Sequence, residues 1–362
     1  MKPKSIRAEP QPAEVPTNPK WWGFNLQTLF SRDRVWDQYF PDNRSFDFIE
    51  HHLDWIAAWG FNFVRLPMDY RLLFQRGDVR FGRNEAILER VVEGSRERGI
   101  HLNLAFHTAP GYSIHHLVPG REHHFGRSNT LFHDVRLQHL FADMWSLLAR
   151  TYSGIPAADL SFNLVNEPCA RRIDGEFLEG VRKVTELCSR RIWEQSPERK
   201  IVVDLVLNIT KWNPPRDPRY IYAIRGYDPL SFTCRGCPWV DLPITMDEYP
   251  FESADIRYTR RHLEADYECM LAQFDGLPLH CSEMGVFNRN ESREVRRWYQ
   301  DVLTLLTSRR IGFALWNLTG PFGVLDNGIP GAKTKAWHGH RLDTGLLDLL
   351  RSFLPTAPGR VL

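Results

Sequence analysis

The segment Asp159-Leu160-Ser161-Phe162-Asn163-Leu164-Val165, followed by Asn166-Glu167-Pro168, is the strongest indication of how this chain folds. Its apolar run predicts a strand that is buried on both faces, which is typical of parallel sheets. Pro168 has no backbone N–H to donate to a sheet, so it ends the strand. A carboxylate is costly to bury unless it is paired or used. Glu167, at the end of this run, is therefore a candidate functional residue.

A second segment repeats this arrangement at residues 277–285. Leu277-Pro278-Leu279-His280-Cys281-Ser282-Glu283-Met284-Gly285 is a short apolar run with Glu283 at its C-terminal end, and Gly285 permits a sharp turn. Hydrolysis of a glycosidic bond needs two carboxyl groups, one as proton donor and the other as nucleophile or base. Two strand ends that each deliver a Glu side chain fit this requirement.

Apolar runs that predict strands alternate with helical patterns along almost the whole chain. The predicted strands are residues 21–26, 61–67, 101–106, 160–166, 201–206, 220–227, 279–285 and 312–318. The predicted helices include residues 46–59, 84–98, 135–152, 176–194, 254–274, 292–308 and 342–350. Residues 203–220 contain no clear helical pattern. Eight alternating strands predict an α/β fold, a single-domain (β/α)8 TIM barrel; an open doubly wound sheet is the alternative, but it usually has fewer strands.

The composition fits a large enzyme domain. The 362 residues are 43% hydrophobic and carry a net charge of +2, with no basic run and no long apolar span. We therefore expect neither nucleic acid nor a membrane as partner, and we expect a monomer. Residues 1–20 are rich in proline and polar side chains and predict a flexible lead-in to a catalytic domain at 21–355. Because they contain no apolar signal segment, we expect a cytoplasmic enzyme, or a secreted one if a leader has been removed.

Neither the cysteines nor the histidines indicate a metal site. Cys234 and Cys237 are the close pair among six scattered cysteines, and no second pair stands at zinc-ligand spacing. A local disulfide or two loop thiols are favoured there. The doublets His115-His116 and His123-His124 have no carboxylate at ligand spacing, so we interpret them as loop residues. The prediction is no metal and no cofactor.

Polar or aromatic side chains follow most of the predicted strands. In a barrel, the loops at the C-terminal strand ends build the active site, so these residues are candidates for catalysis and binding. They are Arg65, His107, Asn166, Glu167, Arg225, Tyr227, Glu283, Trp316 and Asn317.

On these residues the chain resembles the family 5 glycoside hydrolases, the cellulase family of retaining barrel enzymes, from about residue 21 to about residue 350. The motifs are Val64-Arg65-Leu66-Pro67, His107 with Ala109-Pro110-Gly111, Asn166-Glu167-Pro168, Glu283-Met284-Gly285 and Trp316. The resemblance implies that Glu167 is the acid/base and Glu283 the nucleophile. It also implies that Asn166 binds the sugar 2-hydroxyl, that Arg65 and His107 brace the site, and that Trp316 forms a platform under the sugar.

The chain departs from the family at one position. The family usually has a His two residues before the Tyr that touches the nucleophile, and here Arg225 stands two residues before Tyr227. An arginine cannot relay a proton, but it offers a fixed charge and a bidentate fork. We expect Arg225 to reach Glu283 and to keep it ionised. The departure leaves open whether the specificity is that of a typical cellulase.

The sequence therefore predicts a retaining glycosidase that cleaves β-linked glucan or a related oligosaccharide or polysaccharide by double displacement, as an endo-β-1,4-glucanase does. Three alternatives stay open: a carbohydrate-binding barrel that has lost catalysis, an exo-acting β-glucosidase or β-mannosidase of the same family, and a metal-dependent hydrolase that uses the histidine clusters. A further interpretation makes Glu167 and Glu283 structural ion-pair partners of Arg65 and Arg225.

Overall fold

The computed structural model describes residues 17–27, 50–75, 78–82, 84–114, 130–170, 172–207, 213–253 and 256–355. Eight parallel strands form a closed sheet in its centre. They are β1 (Trp22–Asn25), β2 (Phe63–Asp69), β3 (His101–Ala109), β4 (Leu160–Asn163), β5 (Lys200–Asp204), β6 (Tyr220–Gly226), β7 (Leu279–Met284) and β8 (Gly312–Leu315). Each strand pairs with the next, and β8 pairs with β1. The predicted barrel and its eight strands are confirmed.

Seven helices of eight or more residues surround the strands in the described ranges. They are α1 (Glu50–Ala58), α2 (Glu85–Glu97), α3 (Val135–Thr151), α4 (Gly175–Gln195), α5 (Arg260–Leu271), α6 (Ser292–Ser308) and α7 (Thr344–Ser352). Shorter helical turns lie at Tyr70–Leu73, Thr130–Phe132, Leu230–Thr233 and Ala272–Phe274. The described residues between β5 and β6 contain no helix, in agreement with the sequence pattern.

Two predicted helices are wrong in their bounds: the one predicted at 342–350 begins two residues later, at Thr344, and the one predicted at 254–274 differs more. The pattern at 254–274 gave a single helix, but α5 begins at Arg260 and its last turn continues as the 3-10 helix Ala272–Phe274. A two-stranded antiparallel hairpin, Phe251–Glu252 with Arg257–Tyr258, occupies the preceding residues. Thr259 caps α5, and this cap sets the start of the helix more sharply than its weak amphipathic pattern does.

The helices are amphipathic and bury one face against the barrel. On α6, Val295, Trp298, Tyr299, Val302 and Leu306 are buried, at the spacing of three and four residues that places side chains on one helix face. The starts of other helices are fixed by aspartate caps that accept backbone N–H groups. These caps are Asp134 for α3, Asp174 for α4 and Asp343 for α7.

Alternation of side chains along the strands explains why charged groups collect inside the barrel. On β2, Val64 and Leu66 belong to the apolar core shared with the helices, whereas Arg65 points to the opposite face, into the barrel. On β6, Ile224 faces the helices and Arg225 faces the interior. Residues that pack against the helices and residues that form the site therefore alternate along these strands, with a period of two residues.

The N-terminal end of the barrel is filled by aromatic rings. Trp21 stacks on His101 at 4.0 Å between ring centroids, and Phe63 packs against Trp21 at 5.1 Å and against His280 at 4.6 Å. The charged interior side chains of Arg65, Asp204, Arg225 and Glu283 lie nearer the C-terminal strand ends, where TIM-barrel active sites lie.

Several strands end earlier than predicted. β4 ends at Asn163 rather than at 166, β7 at Met284 rather than at 285, and β8 at Leu315 rather than at 318. Asn166 and Glu167 therefore lie in the loop after β4, not in the strand itself. Within the described ranges, no helix has both the length and the apolar character needed to cross a membrane.

Candidate active site

Glu167 occupies a left-handed backbone conformation in the loop after β4, with φ of 46°. This region is uncommon for a non-glycine residue and has to be held by its surroundings. The Glu167 N–H donates to Asp204 Oδ2 at 2.9 Å, and its carbonyl accepts the Tyr112 hydroxyl at 2.5 Å. The backbone is thus held on both sides, which fixes the direction of the carboxyl group.

Arg225 lies between the two predicted catalytic carboxylates. Its Nε donates to Glu167 Oε1 at 2.7 Å, and its Nη2 donates to Asn166 Oδ1 at 3.1 Å and to Asp204. Nη2 also stands 3.5 Å from Glu283 Oε1. The side chain therefore points into the barrel and reaches Glu283, as expected, but its hydrogen bonds to other side chains go to Glu167, Asn166 and Asp204.

Glu283 is 3% exposed and accepts hydrogen bonds at both carboxyl oxygens. Arg65 Nη1 donates to Oε1 at 2.5 Å, and the Tyr227 hydroxyl donates to Oε2 at 3.1 Å. Burial, and secondarily the charge of Glu283, raises the pKa of Tyr227 well above its ordinary value. Tyr227 is therefore a neutral phenol that donates, and Glu283 accepts from both neighbours, as an ionised carboxylate does.

Arg65 is fully buried and joins four acceptors from different parts of the barrel. Its Nε donates to Asn163 Oδ1 at 2.9 Å and its Nη2 to Asn166 Oδ1 at 2.8 Å. Its Nη1 contacts Asn25 Oδ1 at 3.0 Å besides Glu283. Because the planar guanidinium has a fixed geometry, these contacts orient Asn166 and Glu283 relative to each other.

The electrostatics of Glu167 differ from those of an exposed carboxyl. Its side chain is 13% exposed. Burial raises the pKa of Glu167 to about 7, against the opposing charge of Arg225 and with support from the carboxylates of Glu283 and Asp204. A carboxyl in this range holds a proton near neutral pH and can release it, which is what a general acid that later acts as base requires.

His107 and Trp316 form the aromatic side of the site. Their rings stack with centroids 5.3 Å apart and planes at 19°. Trp316 is 6% exposed and packs in a small apolar cluster with Cys234, Cys237, Phe287 and Phe322, against which Tyr227 also packs. Tyr227 therefore connects this aromatic side to Glu283.

The structure brings all nine predicted site residues to the C-terminal end of the barrel, where the Asn317 side chain donates to Gln27 and the other eight lie at the site itself. Arg65, Asn166, Glu167, Arg225, Tyr227 and Glu283 form one hydrogen-bonded network. His107 and Trp316 stack on each other beside this network. What each residue does to a substrate stays a prediction.

Sequence reasoning missed Asp204, Asn25 and Asn163, which complete this network. Asp204 is 2% exposed at the end of β5 and accepts the side-chain N–H of Asn163 at 2.8 Å. Its signal was present in the sequence, since Ile201-Val202-Val203-Asp204 is also an apolar run that ends in a carboxylate. Asn25 and Asn163 carry no such signal, because amides within a strand are compatible with many surroundings.

The described residues contain no group of three His, Cys, Asp or Glu side chains placed to hold a metal ion. The doublets His115-His116 and His123-His124 lie outside the described residues. His340 Nδ1 pairs with Asp326 Oδ2 at 2.6 Å. The six cysteines, all described, are free thiols.

Comparison with known proteins gives consistent matches over most of the chain. The sequence model described as Cellulase (glycosyl hydrolase family 5) matches residues 22–321. Cellodextrinase A of Ruminococcus flavefaciens is 27% identical over 289 residues, which is 77% of this chain and 78% of that protein. Endoglucanase C of Acetivibrio thermocellus is 25% identical over 325 residues, which is 82% of this chain and 90% of that protein.

Solved structures agree with these matches. A crystal structure described as a glycoside hydrolase superposes with a TM-score of 0.79 and 29% identity, covering 92% of this chain and 99% of the other. Thermotoga maritima Cel5A, solved in complex with cellobiose, superposes with a TM-score of 0.70 and 17% identity over 91% of this chain and 97% of the other. At that identity, the second likeness concerns the fold alone.

Proposed function

The chain belongs to the cellulases, glycosyl hydrolase family 5, and is therefore a glycosidase; we propose that it cleaves β-1,4-linked glucan chains by double displacement, with Glu167 as acid/base and Glu283 as nucleophile. The observation that carries this proposal is the contrast between the two carboxyl groups. The Glu167 side chain is 13% exposed, lies beside other carboxylates and has a pKa raised to about 7. Glu283 instead accepts hydrogen bonds at both oxygens.

In the first step, Glu283 attacks the anomeric carbon while Glu167 gives its proton to the departing glycosidic oxygen. The product of this step is a glycosyl ester of Glu283. In the second step, Glu167 takes a proton from water, which then attacks the same carbon and frees Glu283. Two inversions give net retention of the anomeric configuration, and Glu167 ends each cycle protonated.

The choice of β-1,4-glucan is supported by the named relatives, an endoglucanase and a cellodextrinase. The endoglucanase match covers 90% of its relative, so the comparison concerns nearly the whole of that protein. Arg225, in the place of the family histidine, contacts Glu167 and Asn166 from inside the site. It changes the charge beside the reacting sugar without replacing either carboxyl group.

A second candidate substrate is a short cello-oligosaccharide. The similarity to a protein named as a cellodextrinase favours it, because that name refers to cellodextrin rather than to the polymer. The two candidates differ in where the chain is cut. Action inside a long chain lowers its viscosity quickly, whereas trimming of short oligosaccharides leaves polymer viscosity unchanged.

The test is a substrate panel with purified protein: carboxymethylcellulose, cellohexaose, mixed-linkage β-glucan and mannohexaose. We expect hydrolysis of cellohexaose, with the β-anomer appearing first by proton NMR. The α-anomer as first product would contradict double displacement. Binding of cellohexaose without hydrolysis, at any pH between 4 and 9, would instead favour a carbohydrate-binding barrel.

A further inference from the structure

We propose that Asp204 is a positioning residue, which forms a buried charge pair with Arg225 and through it holds Glu167 in place and in its protonated form. This inference rests on the acid/base role proposed for Glu167. It concerns the position at which the chain departs from its family, and it explains how an arginine is accommodated beside a carboxyl group that has to donate a proton.

The contacts of Asp204 hold Glu167 at two points. Asp204 Oδ2 accepts the backbone N–H of Glu167 at 2.9 Å, and the same oxygen accepts Arg225 Nη2. Arg225 Nε in turn donates to the Glu167 carboxyl at 2.7 Å. The other oxygen of Asp204 accepts Asn163 Nδ2 at 2.8 Å, so the carboxylate cannot rotate without losing a buried bond. One side chain thus fixes both the backbone and, through Arg225, the carboxyl of Glu167.

The charge balance of the buried cluster explains the effect on the proton. Arg65 and Arg225 contribute two positive charges, and Asp204 and Glu283 contribute two negative charges. These four cancel, so the cluster is neutral when Glu167 is protonated. If Asp204 carried no charge, the cluster would instead be neutral with Glu167 ionised. A low-dielectric interior penalises net charge strongly, so Asp204 decides which form of Glu167 is favoured.

Three other titratable side chains near this cluster, those of Tyr112, Tyr227 and Cys281, do not change the balance. Burial raises the pKa of Tyr112 and of Tyr227 well above the ordinary value, and it raises the pKa of Cys281 to about 12. All three are therefore neutral at working pH. His107 also lies at this end of the barrel, where it stacks on Trp316.

The experiment compares Asp204→Asn, Arg225→Gln and the double variant by the pH dependence of kcat/KM on cellohexaose. The alkaline limb reports loss of the proton from the acid in the free enzyme. In Asp204→Asn, two positive charges face one negative charge, so the limb moves to lower pH by roughly one to three units. In Arg225→Gln the limb moves to higher pH. In the double variant the remaining charges cancel again, and the limb returns close to the wild-type position.

Asp217→Asn is the matched control, because Asp217 also pairs with an arginine beside β6. Arg219 donates to it through Nε and Nη2, both at 2.8 Å, but just before the start of the strand and away from the site. Its removal leaves the limb in place. A purely structural Asp204 would lower kcat or the melting temperature in each variant without shifts of opposite sign, and that result would overturn the proposal.

Failure of the inference can be distinguished from failure of the proposed function. If the wild type hydrolyses cellohexaose but the alkaline limb lies at the same pH in the wild type and all variants, the inference alone is refuted. If the wild type hydrolyses no glucan, the proton of Glu167 can be followed without substrate by a carboxyl-carbon NMR titration of each variant. The same titration of each variant with Glu167→Gln added identifies the signal of Glu167. Titration midpoints that are lowest in Asp204→Asn and highest in Arg225→Gln support the inference, and coincident midpoints refute it. Far-UV circular dichroism of each variant checks that it is folded.

Discussion

The Arg65 guanidinium donates to Glu283 Oε1 at 2.5 Å, although 218 residues separate the two in the chain. Arg65 lies on β2 and Glu283 on β7, and these strands are separated by β1 and β8 in the closed sheet. The contact therefore crosses the inside of the barrel rather than following a strand pair. Both side chains are almost completely buried, so the contact fixes the candidate nucleophile against a rigid framework.

Glu167→Gln and Glu283→Gln should each abolish most of the turnover while leaving the fold intact. For Glu167, the loss of the acid should lower kcat on an unactivated oligosaccharide by roughly 10²–10⁴-fold, and the loss of the nucleophile by at least as much. Glu294→Gln is the control, since Glu294 is a buried carboxylate that pairs with Arg293 and Arg297 on α6. That variant should change the melting temperature rather than kcat. Near-normal turnover in either site variant refutes the assignment.

Azide should restore activity to Glu283→Ala on an aryl β-cellobioside with a good leaving group. The truncated side chain leaves space for the anion, which attacks the anomeric carbon from the side that Glu283 vacates. One displacement replaces two, so the glycosyl azide has the inverted configuration, which proton NMR of the product identifies. A glycosyl azide of retained configuration, or equal rescue of a Glu167→Ala variant with inversion, would contradict the roles.

Stability should respond to the proton of Glu167. Burial raises the pKa of this carboxyl from 4.5 to about 7. Between these values the folded protein holds a proton that the unfolded chain has lost, so the contribution to stability is complete below 4.5 and is lost as the pH rises through 7. Glu167→Gln cannot ionise. We therefore expect the free energy of unfolding of Glu167→Gln, relative to that of the wild type, to rise by on the order of 2 kcal/mol from pH 5 to pH 8.

Urea unfolding of both proteins at the two pH values measures this difference. Subtracting the free energy of unfolding of the wild type from that of Glu167→Gln removes the contribution of groups that titrate alike in both proteins. A free-energy difference that is equal at pH 5 and pH 8 is incompatible with a raised pKa at Glu167.

Tyr227→Phe should lower kcat by roughly 10–100-fold, the value of one hydrogen bond to a charged group. The phenol donates to Glu283 Oε2 at 3.1 Å and orients the attacking carboxylate. The cellohexaose KM should change little. Tyr258→Phe is a matched control. Tyr258 lies on the hairpin before α5, and its hydroxyl also donates to a carboxylate, that of Asp266, at 2.6 Å. Equal kcat values for the two variants would show that the Tyr227 hydroxyl has no part in catalysis.

Activity should be unchanged after dialysis against EDTA. Both steps of double displacement use carboxyl groups and water, and the described residues contain no cluster of metal ligands. The measurement is the rate on cellohexaose before and after dialysis, with a zinc hydrolase treated in parallel. Loss of activity that added zinc or calcium restores would favour the metal-dependent alternative.

The parts of the fold that follow from short-range pattern were predictable. The apolar runs gave all eight strands, and α6 was predicted with its observed bounds, because its buried face repeats every three and four residues. α5 was not, since a hairpin and the Thr259 cap precede it where the sequence has no distinct break. The strand ends at Asn163 and Leu315 were also missed, because ladder pairing depends on the neighbouring strand and not on local composition.

The sequence by itself determined the alternation of strands and helices and placed a carboxylate at the C-terminal end of two of the strands. It also indicated Arg225 as a departure from the family. Only the tertiary structure decided the partners. Arg225 bonds to Glu167 and Asp204 rather than directly to Glu283, and Glu167 takes a left-handed backbone conformation. The physical reason is that the direction of a side chain on a strand follows from a local period of two residues. Hydrogen-bond pairing and charge balance instead depend on burial that residues of β2, β5, β6 and β7 share, and only closure of the barrel brings these strands together.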